Sequence, residues 1–133
     1  MNNTQDPYLN NKLVEERLYD EYYKYTSLLV AFDFDNTIFD YHRTGCEYPE
    51  VVNLLHKAKY LNCTLICYTG NPDEELVKEE LDRLNIKYDY YNTSPLMFGV
   101  KPFANILLDD RAGLPSAFAA LNNTLNKIEQ ERN

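Results

Sequence analysis

The chain has 133 residues, with 13 Lys and Arg against 21 Asp and Glu for a formal net charge of −8, and is 44% hydrophobic and 14% aromatic. That describes a single domain, in which folding buries roughly two thirds of the unfolded chain's surface, enough for a core without disulfides or structural metal. No uninterrupted apolar run exceeds five residues, as in Leu28 to Phe32, and the first seven residues have neither positive charge nor an apolar stretch, so neither a membrane span nor a signal peptide is expected.

The first expected element is a Tyr-rich helix over about residues 7–25, with Val14, Leu18, Tyr22 and Tyr25 on one face. Its tyrosines serve either packing or a binding surface. Residues 28–32 form a continuous apolar run ending in acid, the pattern of a strand buried on both faces. A helix follows over about 50–61, with Val51, Leu54, Leu55 and Ala58 on one stripe, then a second strand at 64–68. Asn71-Pro72-Asp73-Glu74-Glu75 supplies an N-cap, a proline at the first helical position and acids in the first turn of a helix reaching about Leu84. Residues 86–91 read as a short third strand, 92–102 as loop, 106–108 as a fourth strand, and 115–131 as a helix with Phe118, Leu121, Leu125 and Ile128 on one face.

Apolar runs alternating with helical patterns imply an α/β fold with a three-layer, Rossmann-like parallel sheet. Right-handed crossovers give the strand order 3-2-1-4. The order reverses between strands one and four, and ligands bind outside the carboxyl ends of strands at such a point. The expected organisation is an N-terminal helix (1–27), a motif-bearing core (28–111) and a C-terminal helix (115–131). Three cysteines, an odd number, form no disulfide framework, so the expected setting is a reducing cytoplasm. A zinc site from His42, Cys46, Cys63 and Cys67 is disfavoured. Cys63 and Cys67 bracket a strand of about 13 Å, too long for two sulfurs each about 2.3 Å from one ion.

Asp33-Phe34-Asp35-Asn36-Thr37 directly follows the first strand. In extended chain Asp33 and Asp35 project on one side about 6.6 Å apart, spaced to flank a phosphoryl group. Asp33, ionised at an ordinary carboxylate pKa of about 3.9, is able to attack phosphorus and give an aspartyl-phosphate. Asp35 would hold a proton for the leaving oxygen and later take one from water. Asn36 suits the left-handed backbone of a sharp turn. Thr69-Gly70-Asn71 ends the second strand and offers a hydroxyl and backbone amides at a helix amino end, where anions bind; the bland alternative is a strand-ending turn. Lys101 is either a surface lysine or a partner for phosphate charge. Asp109 and Asp110 end the fourth strand, and adjacent carboxylates call for a cation there. Magnesium is the expected cofactor, since it takes oxygen ligands and would neutralise phosphoryl oxygens. Four carboxylates, one divalent ion and one lysine sum to −4 + 2 + 1 = −1.

As an ordered set these motifs resemble the haloacid dehalogenase-like hydrolase superfamily: Asp-x-Asp-x-Thr, a strand-ending Thr, a Lys and a strand-ending acidic pair, each after its expected strand between Leu28 and Arg111. The resemblance implies Asp33 as nucleophile and metal ligand, and Asp35 as acid/base and backbone-carbonyl metal ligand. It implies Thr69 and Lys101 as phosphate binders, with Gly70 and Asn71 beside them, and Asp109 with Asp110 on magnesium. Asn36 stands where many members carry Gly, and the fifth strand of many members is missing. Residues 37–49 leave room only for a short flap, and 92–102 is too short for the second common cap site, so the chain resembles the capless members. Asp109-Asp110-Arg111 also resembles the ending seen in deoxyribonucleotidases and polynucleotide 3′-phosphatases. Arg111 holds substrate phosphate or pairs with a nearby acid.

The expected activity is magnesium-dependent phosphomonoester hydrolysis; the alternatives are an idle binding or regulatory module and a phosphotransferase using the same intermediate. Net acidity argues against strong non-specific nucleic-acid binding. The expected partner is a small phosphorylated substrate such as a nucleotide, with no membrane involved. Tyr41, His42, Arg43 and Tyr48 on the flap, with Met97 and Phe98, either pack or contact a base.

Overall fold

The computed structural model describes residues 9–41, 43 and 48–132. Helix α1 (Asn11–Tyr25) starts where the Asn10 side chain accepts hydrogen bonds from the Lys12 and Leu13 amides at 3.0 and 3.2 Å, and stops at Thr26 in left-handed backbone (φ 57°). It leads into β1 (Leu29–Phe32), α2 (Pro49–Tyr60) and β2 (Thr64–Cys67). Proline sits at the first position of α2, where its missing N–H costs nothing. Asn62 then takes a φ of 70°, a conformation asparagine tolerates better than most residues.

Helix α3 (Glu74–Arg83) begins later than the sequence suggests. Its N-cap is Asp73, which accepts from the Leu76 amide at 3.1 Å, and not Asn71. The Asn71 side chain instead accepts the Asp73 amide at 2.9 Å. This local turn leaves Pro72 outside the helix. The next strand, β3, shrinks to Tyr90–Tyr91 where residues 86–91 were expected. Asp89 explains the loss, because its carboxylate takes the Leu65 amide at 2.8 Å, replacing a main-chain rung of the ladder.

The expected loop at 92–102 contains an antiparallel hairpin, β4 (Met97–Phe98) with β5 (Lys101–Pro102), turning through Gly99 at φ 66°. It is followed by β6 (Ile106–Leu108) and α4 (Leu114–Arg132). The main sheet is parallel with the order β3-β2-β1-β6. The predicted order 3-2-1-4 is thus corrected to 3-2-1-6. The hairpin adds two strands to the chain count before Ile106–Leu108, the segment that lies beside β1.

Strand register sorts the core. Val30 lies opposite Leu65 and Ile106, and Phe32 opposite Cys67 and Leu108. All six join one buried cluster with Leu18 and Tyr22 of α1, Leu54 and Leu55 of α2, Val77 and Leu81 of α3, and Leu121 and Leu125 of α4. Ala31 and Ile66, on the other pleat, are buried outside that cluster, and Leu107 beside them is exposed. There Leu29 and Thr64 face Pro95, Leu96, Phe98 and Phe103 across a cavity of about 450 Å³. The described helices therefore make one layer, and a loop stands where the three-layer expectation put a second. The reason is the β3-to-β6 crossover, which the chain makes through a hairpin and not through a helix.

Cys63 and Cys67 are buried free thiols, and burial pushes them up to about 11 and about 12. Cys46 and His42 lie outside the described residues. Among the described residues no helix is long and apolar enough to cross a membrane.

Candidate functional site

Parallel register builds the centre of the site. Phe32 pairs with Leu108, so Asp33 and Asp109 leave adjacent strands side by side, and the Asp33 amide donates to the Leu108 carbonyl at 2.8 Å. Asp110 follows at once. Carboxylate oxygens of Asp33, Asp109 and Asp110 all lie within 4.8 Å of one another, with Asp33 and Asp109 half-buried and Asp110 exposed. The cluster sits at the carboxyl ends of β1 and β6, the point of order reversal expected from the sequence.

Crowding changes the chemistry of Asp33. Burial, then a hydrogen bond with the Asp110 carboxyl and the charges of Asp109 and Asp110, lift its pKa to about 7 against the opposing pull of the Phe34 amide. The ordinary acidity expected for Asp33 is thus corrected. Three carboxyls this close repel when ionised, and burial adds to the cost of charging Asp33. A cation among them reverses that balance, because it favours every anionic form.

After Asp33 the chain abandons extended geometry. The Phe34 carbonyl accepts from the Thr37, Ile38 and Phe39 amides at 3.3, 3.1 and 3.0 Å, and the Asn36 amide donates to the Phe39 carbonyl at 2.8 Å. Asn36 takes the expected left-handed conformation, φ 60°. The Phe34 and Phe39 rings stack 5.0 Å apart, pinning this tight loop to the core. An extended-chain spacing therefore does not govern Asp33 and Asp35, and the carboxylate cluster has three members where four were expected. Asp35 stands apart from it and accepts from Asn71 Nδ2 at 3.1 Å. Thr37 is fully buried, and its Oγ1 accepts the Asp110 amide at 3.2 Å, tying the loop to the acidic pair. Thr37 is the last residue of the Asp-x-Asp-x-Thr motif, and nothing local to it signals a bond to a residue 73 positions away.

The β2 side is organised differently. Thr69 is half-buried, its amide donates to Asn92 Oδ1 at 2.8 Å, and its Oγ1 accepts the Asn71 amide at 3.0 Å. The Asn71 amide, expected to be free for an anion, is thus occupied, and α3 begins five positions beyond Thr69, so its amino end is not at the strand tip. Gly70 is exposed, with open space where a side chain would lie. Asn92, which holds Thr69 from a backbone at φ 54°, was expected only as loop.

Lys101 is exposed on β5, paired in the hairpin register with Phe98. Among the described residues no ion pair joins it to the aspartates. Arg111 reaches Asp109 Oδ1 through its backbone amide at 2.9 Å, and its side chain is exposed. Of the flap, Tyr41 is exposed, Arg43 takes a φ of 54° and Tyr48 packs partly buried against the core. Met97 and Phe98 are exposed, Phe98 meeting Phe103 edge-on.

No family model matches the chain, and no curated protein matches it. Among solved structures, a conserved protein from Bacteroides thetaiotaomicron is similar, with 24% identity and a TM-score of 0.56 over 79% of this chain and 92% of that one. At that identity the likeness concerns the fold alone.

Proposed function

We propose that the protein is a magnesium-dependent phosphomonoester hydrolase of the haloacid dehalogenase-like kind, working through an aspartyl-phosphate on Asp33. The observation that carries the reading is the meeting of Asp33, Asp109 and Asp110 within 4.8 Å at the ends of two adjacent parallel strands. The donor set fits magnesium: all ligands are hard carboxylate oxygens, and three charges of −1 against +2 leave −1, low enough for a phosphate to approach. Magnesium bound there offsets phosphoryl charge and favours the ionised, nucleophilic form of Asp33.

The remaining steps belong to the chain's own residues. An oxygen of Asp33 forms a bond to phosphorus as the ester P–O bond breaks, and Asp35 gives its proton to the departing oxygen. Water then transfers a proton to Asp35 while its oxygen bonds to phosphorus and the Asp33–phosphorus bond breaks, releasing phosphate. Thr69 Oγ1 accepts the Asn71 amide and keeps its own O–H to donate to a phosphoryl oxygen, with the exposed Gly70 beside it. Lys101 adds charge from the hairpin, and nucleotides are the favoured substrates.

A second reading, a module that binds the cation without turnover, has one observation in its favour: Lys101 makes no ion pair with the carboxylates among the described residues. Release of phosphate from an aryl phosphate, with and without magnesium, separates the two. Turnover should require magnesium and fall by at least about 10³-fold in Asp33→Asn. Undiminished turnover in that variant removes the assignment. Saturable magnesium binding with no turnover of any phosphate ester, or of added alcohol acceptors, establishes the second reading.

A further inference from the structure

We propose that Asn71 is a positioning residue that orients the Asp35 carboxylate, and not a ligand for substrate phosphate; its kinetic consequences rest on the phosphohydrolase reading. Both ends of the Asn71 amide are committed. Oδ1 accepts the Asp73 amide at 2.9 Å, and Nδ2 donates to Asp35 Oδ1 at 3.1 Å. The assignment of oxygen and nitrogen follows from the partners, because the backbone N–H of Asp73 can only donate. The donating nitrogen must therefore face Asp35.

The clamp is anchored on rigid structure. Asp73 is the N-cap of α3, so the amide that fixes Asn71 belongs to the helix. The Asn71 backbone is held in turn by Thr69 Oγ1, and Thr69 by Asn92 Oδ1. Asp35 lies on a turn and outside the carboxylate cluster, and rotation about its Cβ–Cγ bond is otherwise soft. Because Asn71 holds Oδ1 by donating to it, any proton carried by Asp35 sits on Oδ2. Oδ2 is thus the oxygen left to exchange a proton with the leaving group and with water, a transfer that requires hydrogen-bond reach.

Two variants and one double variant test this. Asn71→Asp keeps an acceptor for the Asp73 amide while setting an oxygen against the Asp35 carboxylate; Asn71→Ala removes both contacts. Each should lower kcat by roughly tenfold or more, with KM within about twofold. Combining Asn71→Ala with Asp35→Asn should be no slower than Asp35→Asn alone, because the residue acts only through Asp35. A rise in KM at constant kcat, or additive losses in the double variant, overturns the proposal in favour of phosphate binding.

Nuclear magnetic resonance reads the clamp without turnover. The Asn71 side-chain amide protons should be shifted and slowly exchanging in the wild type and lose both properties in Asp35→Ala. If they are unaffected by that change, the clamp does not exist, whatever the activity. A wild type that turns over no phosphate ester but has the shifted, protected amide leaves the clamp standing and removes only the hydrolase reading.

Discussion

The two sides of the strand-end region are assembled by different means. Over β1 and β6, side chains are placed by the sheet itself: a parallel register puts Phe32 beside Leu108, and the next residue on each strand is an aspartate. Over β2 the register sets Cys67 beside Phe32 and brings the Tyr68 amide to the Phe32 carbonyl at 2.9 Å, but no carboxylate follows. Thr69, Asn71 and Asn92 are arranged by side-chain hydrogen bonds between loops, and Lys101 rides on a separate two-residue hairpin. The register-built side concentrates three carboxyls in one place. The loop-built side has Lys101 as its charge, and the bonds of Thr69, Asn71 and Asn92 are mostly spent on holding each other.

Substitutions of the carboxylates should have the largest effects, and different ones for Asp109 of the register-built cluster and for Asp35 on the loop beside it. Asp35→Asn should slow turnover by roughly 10²-fold or more through lost proton transfer while leaving the magnesium dependence nearly unchanged. Asp109→Asn should instead shift the magnesium requirement upward, with much of the rate recovered at high metal. Titrating activity against magnesium in both variants checks the division, and identical metal responses would erase it.

The charge of the cluster should also be visible in stability. Asp33 is lifted from 3.8 to about 7 in the folded protein, so between those values the folded state keeps a proton that the unfolded chain has lost. Stability from this group is present below pH 3.8 and is lost as pH rises through about 7. Chemical denaturation with chelator should show this decline, Asp33→Asn should flatten it, and magnesium should raise the midpoint most at the upper end. A profile that rises over the same interval in the chelated protein, and is unchanged by Asp33→Asn, would contradict the picture of a repelling cluster.

On the loop-built side the expected effects are smaller. Lys101→Ala should raise KM a few-fold, about the 1 kcal/mol upper range of an exposed charge pair, with kcat little changed. Steady-state kinetics at two salt concentrations checks it: the difference from wild type should shrink at high salt. An unchanged KM at both concentrations would detach the hairpin from the site.

The same contrast explains what could be read in advance. Asp33 and Asp109 were legible because each follows an apolar run, and right-handed crossovers bring those runs together. The helices were legible from their apolar stripes, although α3 begins at Glu74 because the Asn71 side chain turns the chain before Asp73 can cap it. The shortened β3 was not legible, since nothing in the pattern reveals that Asp89 will take a ladder position with its carboxylate. Nor was the single helical layer, which follows from a hairpin in a segment whose prolines and glycine read as loop. Asn71 was in view as an N-cap and a phosphate-site residue and Asn92 as loop, but their partners lie 36 and 23 positions away in the chain, and local sequence carries no signal for such bonds.

The central claim is that the cluster makes Asp33 a nucleophile toward phosphorus. Acid-quenching the protein during turnover of an aryl phosphate, followed by peptide mass spectrometry, tests it most directly. The account predicts a phosphoryl adduct on Asp33 that needs magnesium, is absent in Asp33→Asn and accumulates in Asp35→Asn, where water is poorly activated. An active protein with no adduct under any of these conditions, or with the adduct on another residue, would contradict it.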